Sequence, residues 1–132
     1  MPLVGDETLR RIMDRRALED PDHVLLKFQD RSHTFGEINA QVNRVANALL
    51  AQGLVPGDRV ALMLPSHPDH LIAILALAKV GLVRVPVNTG FKGASLAYPF
   101  EAFAPRALIA DAAYAQVLAE SLPAGAVEMT LW

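Results

Sequence analysis

The chain has 132 residues, a net charge of −2 at neutral pH and no cysteine. That length is enough for one domain with a sizeable core. The missing cysteines exclude disulfides, thiolate metal sites and thiol nucleophiles. The charge is balanced as well as small: Arg10-Arg11 and Arg15-Arg16 are interleaved with Asp14 and followed by Glu19-Asp20, which excludes the cationic stripe needed for phosphate-driven nucleic-acid binding.

Apolar residues make up 52% of the chain and charged residues 20%. This surplus calls for a partner surface, or further sequence, to cover it. The N-terminus shows no apolar signal-peptide core. The apolar run at 71–83 is shorter than the ~20 residues a membrane span requires. A cytoplasmic setting without a membrane span is the expectation.

Asp6 is suited to cap a short helix carrying Leu9, Ile12 and Met13 at helical spacing, ended by Pro21. Val24-Leu25-Leu26-Lys27-Phe28 reads as a strand that turns at Asp30-Arg31-Ser32. It pairs back through His33-Thr34-Phe35 as a small N-terminal β-ribbon. Thr34 and Glu37 have the spacing of a capping box, each side chain accepting from a free backbone N–H. This use of Glu37 competes with a role as general base and is the preferred one. The following helix presents Ile38, Val42, Val45, Ala46, Leu49 and Leu50 on one face, and Gly53 stops it in a left-handed turn.

Residues 60–64 form a continuous apolar strand, as expected of a parallel strand covered on both faces. A helix begins at Ser66 or Pro68, is apolar almost all round over 71–80, and stops at Gly81. Residues 82–87 read as a second buried strand. A helix near 93–103 follows, with its middle left open by Pro99. A third core strand at 107–110, an Asp111-capped helix to about Leu122 and a last strand at 127–132 complete the pattern. Alternating strands and helices predict an α/β fold: a three-layer, mostly parallel partial sheet flanked by helices, with right-handed crossovers. Organisation is expected to be one domain over 1–132, with a helical lead-in at 1–20 and an α/β core at 21–132.

Neither G-x-x-x-x-G-K-[ST] nor G-x-G-x-x-G occurs. The glycines of Gly53-Leu54-Val55-Pro56-Gly57-Asp58 lie between a helix and a strand. A phosphate loop runs the other way, from strand into helix. His67-Pro68-Asp69-His70 gathers two imidazoles and a carboxylate at a helix start, but a structural zinc site wants four ligands, so capping is the expected role. His23 and His33 are isolated. Asn88-Thr89-Gly90-Phe91-Lys92-Gly93 leaves the carboxyl end of a buried strand, where ligands of open α/β sheets sit. Lys92 either reaches a phosphate there or stays solvated.

Four segments taken together carry a resemblance. They are Thr34-Phe35-Gly36-Glu37-Ile38-Asn39, Pro56-Gly57-Asp58-Arg59-Val60-Ala61, Val80-Gly81 and Val85-Pro86-Val87-Asn88. Their order resembles the N-terminal part of the adenylate-forming (AMP-binding) enzymes: acyl-CoA synthetases, luciferases and nonribosomal-peptide adenylation domains. The likeness runs from Pro21 to Trp132, and over 85–93 it is greatest to fatty-acyl and carnitine-type CoA ligases. It implies a parent enzyme of fatty acid metabolism that uses ATP, Mg²⁺ and CoA to convert a carboxylate into an acyl-adenylate and then an acyl-CoA.

In some CoA ligases a cation after the Asn contacts the nucleotide part of CoA. Gly90 stands where arginine is common, so that role falls to Lys92. Pro65-Ser66-His67 and Pro99 also depart from the family pattern. The ATP loop ending in Pro-Lys-Gly, the ribose-binding Asp and the catalytic C-terminal Lys have no counterpart here. The implied reading is an N-terminal fragment without catalysis or cofactors of its own, whose partner is the rest of the parent or a second copy. In a two-fold dimer, the apolar helix at 71–80 and the edge at 127–132 would be covered and Trp132 buried. Alternatives are a non-enzymatic binding or assembly module on the same fold, and a luciferase-like or amino-acid-activating parent.

Overall fold

The computed structural model describes residues 7–132. The Asp6 cap therefore lies outside the described residues. Helix α1 (Leu9–Glu19) is capped by Thr8, whose hydroxyl accepts from Arg11 N–H at 3.3 Å. Strands β1 (Val24–Phe28) and β2 (Arg31–Thr34) pair antiparallel as the expected ribbon. Helix α2 (Phe35–Ala51) opens on the Thr34–Glu37 capping box. Glu37 N–H donates to Thr34 Oγ1 at 3.2 Å, and Thr34 N–H donates to Glu37 Oε2 at 2.9 Å. Two otherwise free donors are thus satisfied, which settles the local role of Glu37.

The main sheet holds four parallel strands in the order β4-β3-β5-β6. They are β3 (Arg59–Met63), β4 (Val83–Pro86), β5 (Ala107–Ala110) and β6 (Met129–Leu131). Side chains alternate between two cores, following the period of two of a strand. Val60, Leu62 and Ala107 join Ile38, Val42 and Leu49 of α2 and Ile72, Ala76 and Leu77 of α3 (Pro68–Lys79). Ala61, Met63, Leu108 and Ala110 join Leu96 and Phe100 of α4 (Gly93–Phe103) and Leu118 of α5 (Ala115–Ser121). The fold is thus α/β in three layers, with α1, α2 and α3 on one face and α4 and α5 on the other.

From β3 the chain crosses to one side through α3. From β4 it crosses back through α4 on the opposite face. Direction and face reverse together, so these crossovers share one hand.

Two expectations are corrected, and the question left open at Pro99 is closed. The apolar helix at 71–80 does not wait for other sequence to cover it: α1 and α2 pack on α3, and Met13 of α1 enters their core. The segment at 82–87 is not buried on both faces, because β4 is an edge strand. Val83, Arg84 and Pro86 are exposed and Val85 is buried. Helix α4 runs through Pro99 without a break. Pro99 removes the N–H that would meet the Ser95 carbonyl, and Ser95 lies on the exposed side, open to solvent. Asp111 caps as expected, but through a 3-10 turn (Ala112–Tyr114) leading into α5; Asp111 Oδ1 accepts from Ala113 N–H at 2.8 Å.

Candidate functional site

Because the four strands are parallel, their carboxyl ends form a single rim. The chain leaves β3 for α3 on one face and leaves β5 for α5 on the other. Their carboxyl ends are therefore the topological switch point, where open α/β sheets place ligands. A crevice of about 450 Å³ opens there, with Leu64, Ile109, Gln41, Asp69, Asp111 and Trp132 among its walls. Trp132 is 65% exposed at its mouth.

The loop after β4 reaches the same rim and is held in shape by its own hydrogen bonds. Asn88 Oδ1 accepts from Gly90 N–H at 2.8 Å, and Asn88 O accepts from Phe91 N–H at 3.1 Å. Gly93 N–H donates to Ser121 Oγ at 2.9 Å, which ties the loop to the end of α5. Gly93 has φ +55, in the left-handed region that favours glycine. Lys92 is the N-cap residue of α4 and its side chain does not cap. Exposed beside Phe91, its ammonium has no ion pair or side-chain hydrogen bond among the described residues. An unpaired cation on a pinned loop is suited to an anionic ligand group.

His67 is the N-cap of α3: its Nδ1 accepts from Asp69 N–H at 3.2 Å, and its ring meets Phe28 edge-on at 5.3 Å. His70 follows within the first turn. Among the described residues no three His, Asp or Glu side chains converge as a metal cluster would. His23 stacks obliquely on Phe35 at 6.0 Å, and His33 faces Leu26 in the ribbon.

Two polar clusters were not anticipated from the sequence. Lys79 is buried, and its Nζ donates to Asp14 Oδ1, Asn39 Oδ1 and Asn43 Oδ1 at 2.6, 2.7 and 2.6 Å. The Lys79 ammonium, followed by burial acting in the opposite sense, sets the Asp14 carboxyl below its ordinary range. The available signal was one lysine ending an apolar helix, with Asn39 and Asn43 one turn apart on α2.

The second cluster centres on Asp58 of the Pro-Gly-Asp turn. It accepts from Val55 N–H at 2.9 Å and Arg106 at 2.8 Å, and Arg106 also holds Glu128 at 2.8 Å. Those bonds, the Val55 N–H foremost, lower the Asp58 carboxyl. Both clusters join elements and lie away from the strand-end rim, so their work is architectural.

Comparison with known proteins gives the lineage. The AMP-binding enzyme family profile matches residues 13–131. Malpinin synthetase of Mortierella alpina is 35% identical over 126 residues, covering 94% of this chain and 2% of that protein. A medium/long-chain-fatty-acid–CoA ligase of Mycobacterium tuberculosis is 35% identical over 109 residues, covering 83% of this chain and 18% of that one. The solved N-terminal subdomain of NpsA from Klebsiella oxytoca, in complex with anthranilyl-AMSN, superposes with a TM-score of 0.81 at 32% identity, over 96% of this chain and 31% of its own. The chain thus spans a small part of the length of the proteins it matches. With nearly all of its residues inside the family profile, it belongs to the AMP-binding enzyme family, the adenylate-forming ligases.

Proposed function

We propose that this chain, taken as one domain, is an N-terminal fragment of an ATP-dependent acyl-CoA synthetase. The parent turns a carboxylate into an acyl-adenylate and passes the acyl group to CoA, in a cytoplasmic setting and in fatty acid metabolism. The fragment alone holds neither ATP nor Mg²⁺ and catalyses neither step. Its working partner is the remainder of the parent. The observation that carries the CoA reading is Lys92, an unpaired ammonium on a loop braced by Asn88 and Ser121 at the carboxyl end of β4. A phosphate of the CoA nucleotide fits that charge.

Catalytic silence has a physical basis. In the β4-to-α4 turn the Gly90 and Gly93 N–H groups are already taken by Asn88 Oδ1 and Ser121 Oγ. In the β3-to-α3 turn, His67 already engages the Asp69 N–H. Without such donors nothing positions a triphosphate or offsets charge developing on it.

An amino-acid-activating parent is the second reading, favoured by the likeness to NpsA, solved also as a fused adenylation–PCP di-domain of the nonribosomal-peptide type. Lys92 then has no CoA to meet.

The experiment has two parts. Purified chain with ATP, Mg²⁺ and a panel of carboxylates is expected to show no ATP–pyrophosphate exchange above blank; exchange that copurifies with the chain through repeated chromatography refutes silence. The chain is then grafted in place of the matching segment of the mycobacterial ligase, with and without Lys92→Ala. A several-fold rise in KM for CoA, with pyrophosphate exchange unchanged, supports the CoA role. An unchanged KM removes it.

A further inference from the structure

Helix α1 is fastened to the rest of the fold by few groups. Met13 is its one buried side chain, and Ile12, Arg16 and Ala17 are half-buried. Its ion pairs run within the same segment: Arg10 with Asp14, Arg15 with Glu7 and Glu19, and Arg16 with Asp20. These stiffen the helix without tying it down. Beyond Met13, the ties are the Arg16 guanidinium, 5.0 Å from the centroid of the Phe35 ring, and the Asp14 carboxylate, held by Lys79 and Asn39.

The attachment has a sharp boundary. Asp20 ends α1 with its N–H on Arg16 O. From Pro21 onward the chain is bonded to the start of α2: Gly36 N–H donates to Pro21 O and Phe35 N–H to His23 O, both at 2.9 Å. A Cβ on Gly36 would stand 3.2 Å from Pro21 Cβ, so the two backbones are closely packed there. A movement of α1 therefore pivots at Asp20.

Beneath α1 the seam between α2 and α3 has its own core, in which Ile38, Val42 and Leu49 join Ile72, Ala76 and Leu77. Lys79 decides whether α1 can leave that seam. A buried ammonium stripped of its acceptors would hold the helix shut, because an orphaned buried charge is strongly unfavourable. Here Asn39 and Asn43, at 2.7 and 2.6 Å from Nζ, stay behind on α2. Only Asp14 departs. Asp14 borders two grooves, of about 510 and 360 Å³, and Lys79 lies in the wall of the smaller one. Water entering by that groove replaces the third acceptor.

We infer that α1 is a strap, which undocks and recloses about Asp20 with the Lys79–Asp14 pair as its latch, while the sheet and the other helices stay folded. Off its seat, an 11-residue helix is shorter than the ~12–15 residues that hold together alone in water. Its amides therefore lose protection whenever the strap lifts. This device is independent of the CoA reading, which stands or falls on Lys92.

Hydrogen exchange of the whole chain is the test, read by mass spectrometry on peptides from α1, β3 and β5 across a series of low urea concentrations. Exchange in α1 is expected to be about tenfold or more faster than in β3 and β5. It is also expected to vary little with urea, because lifting the strap exposes little surface, whereas exchange in the strands climbs. Two substitutions separate the strap from global unfolding. Leu118→Ala thins the core on the opposite face of the sheet; it is expected to speed β3 and β5 several-fold and to leave α1 unchanged. Asp14→Asn weakens the latch and is expected to speed α1 several-fold. Exchange in α1 that keeps pace with β3 in urea, or in the Leu118→Ala chain, overturns the inference. So does an α1 rate that Asp14→Asn leaves unchanged. Should Leu118→Ala fail to fold, the urea series and Asp14→Asn decide.

Discussion

Lys79 Nζ lies 2.6 Å from Asp14 Oδ1, joining two residues 65 apart in sequence across the seam between α3 and α1. Asn39 and Asn43 of α2 complete the acceptor set, so one ammonium engages three helices. The lysine side chain is 7% exposed, whereas the Asp14 side chain is 48% exposed. The buried cation is therefore satisfied mainly by hydrogen bonds, with water screening part of the ion pair. Lys79→Met keeps the volume and deletes the donor. It is expected to cost about 0.5–1.5 kcal/mol, the net range for lost hydrogen bonds whose partly exposed acceptors can turn to water, as measured by urea unfolding. An unchanged midpoint contradicts the account.

Acid sensitivity follows from the two lowered carboxyls. The folded-state values of Asp14 and Asp58 lie below the ordinary 3.8. Their stabilising contribution is complete above that ordinary value and disappears as pH falls through the lower folded values. Neither group makes stability vary around neutrality. Urea midpoints for the chain and for Asp58→Asn are expected to differ at neutral pH and to converge in strong acid. Parallel pH profiles down to the acid limit argue against this assignment.

Thr34→Ala removes the hydroxyl that accepts from Glu37 N–H while leaving the helix face intact. The expected loss is about 0.5–2 kcal/mol. Thr34→Ser keeps an acceptor and is expected to recover most of it. Equal midpoints for the alanine variant and the parent chain would falsify the capping role.

Gly81 closes α3 with φ +73, and a Cβ there would stand 3.2 Å from Pro56 Cβ. Gly81 O also accepts from Gly57 N–H at 2.8 Å, so this turn packs on the Pro-Gly-Asp turn. Gly81→Ala is expected to cost roughly 1–2 kcal/mol from the left-handed backbone alone, with the close contact adding to it. Gly53→Ala has a similar backbone but nothing within 4 Å of its Cβ, and is expected to cost less. Thermal unfolding of the two variants side by side checks that ranking.

By itself, the sequence determined what depends on neighbours along the chain. The Thr34–Glu37 box, the Gly53 and Gly81 stops and the apolar face of α2 arise from spacings of three or four residues, and they appear in the fold as read. The alternation of strand and helix was legible for the same reason, and with it the parallel sheet and the rim where Lys92 sits. Which strand lies at an edge was not legible: residues 82–87 are as apolar as a central strand, and only the order β4-β3-β5-β6 leaves Val83 and Pro86 uncovered. The covering of α3 by α1 was likewise a tertiary outcome, because Met13 joins the core that holds Ile72 only after the chain folds back. Lys79, Asp14, Asn39 and Asn43, and separately Asp58, Arg106 and Glu128, are ordinary surface residues when read in order. Folding makes them partners, because a cation driven inside with an apolar helix must find its acceptors on whichever elements pack beside it.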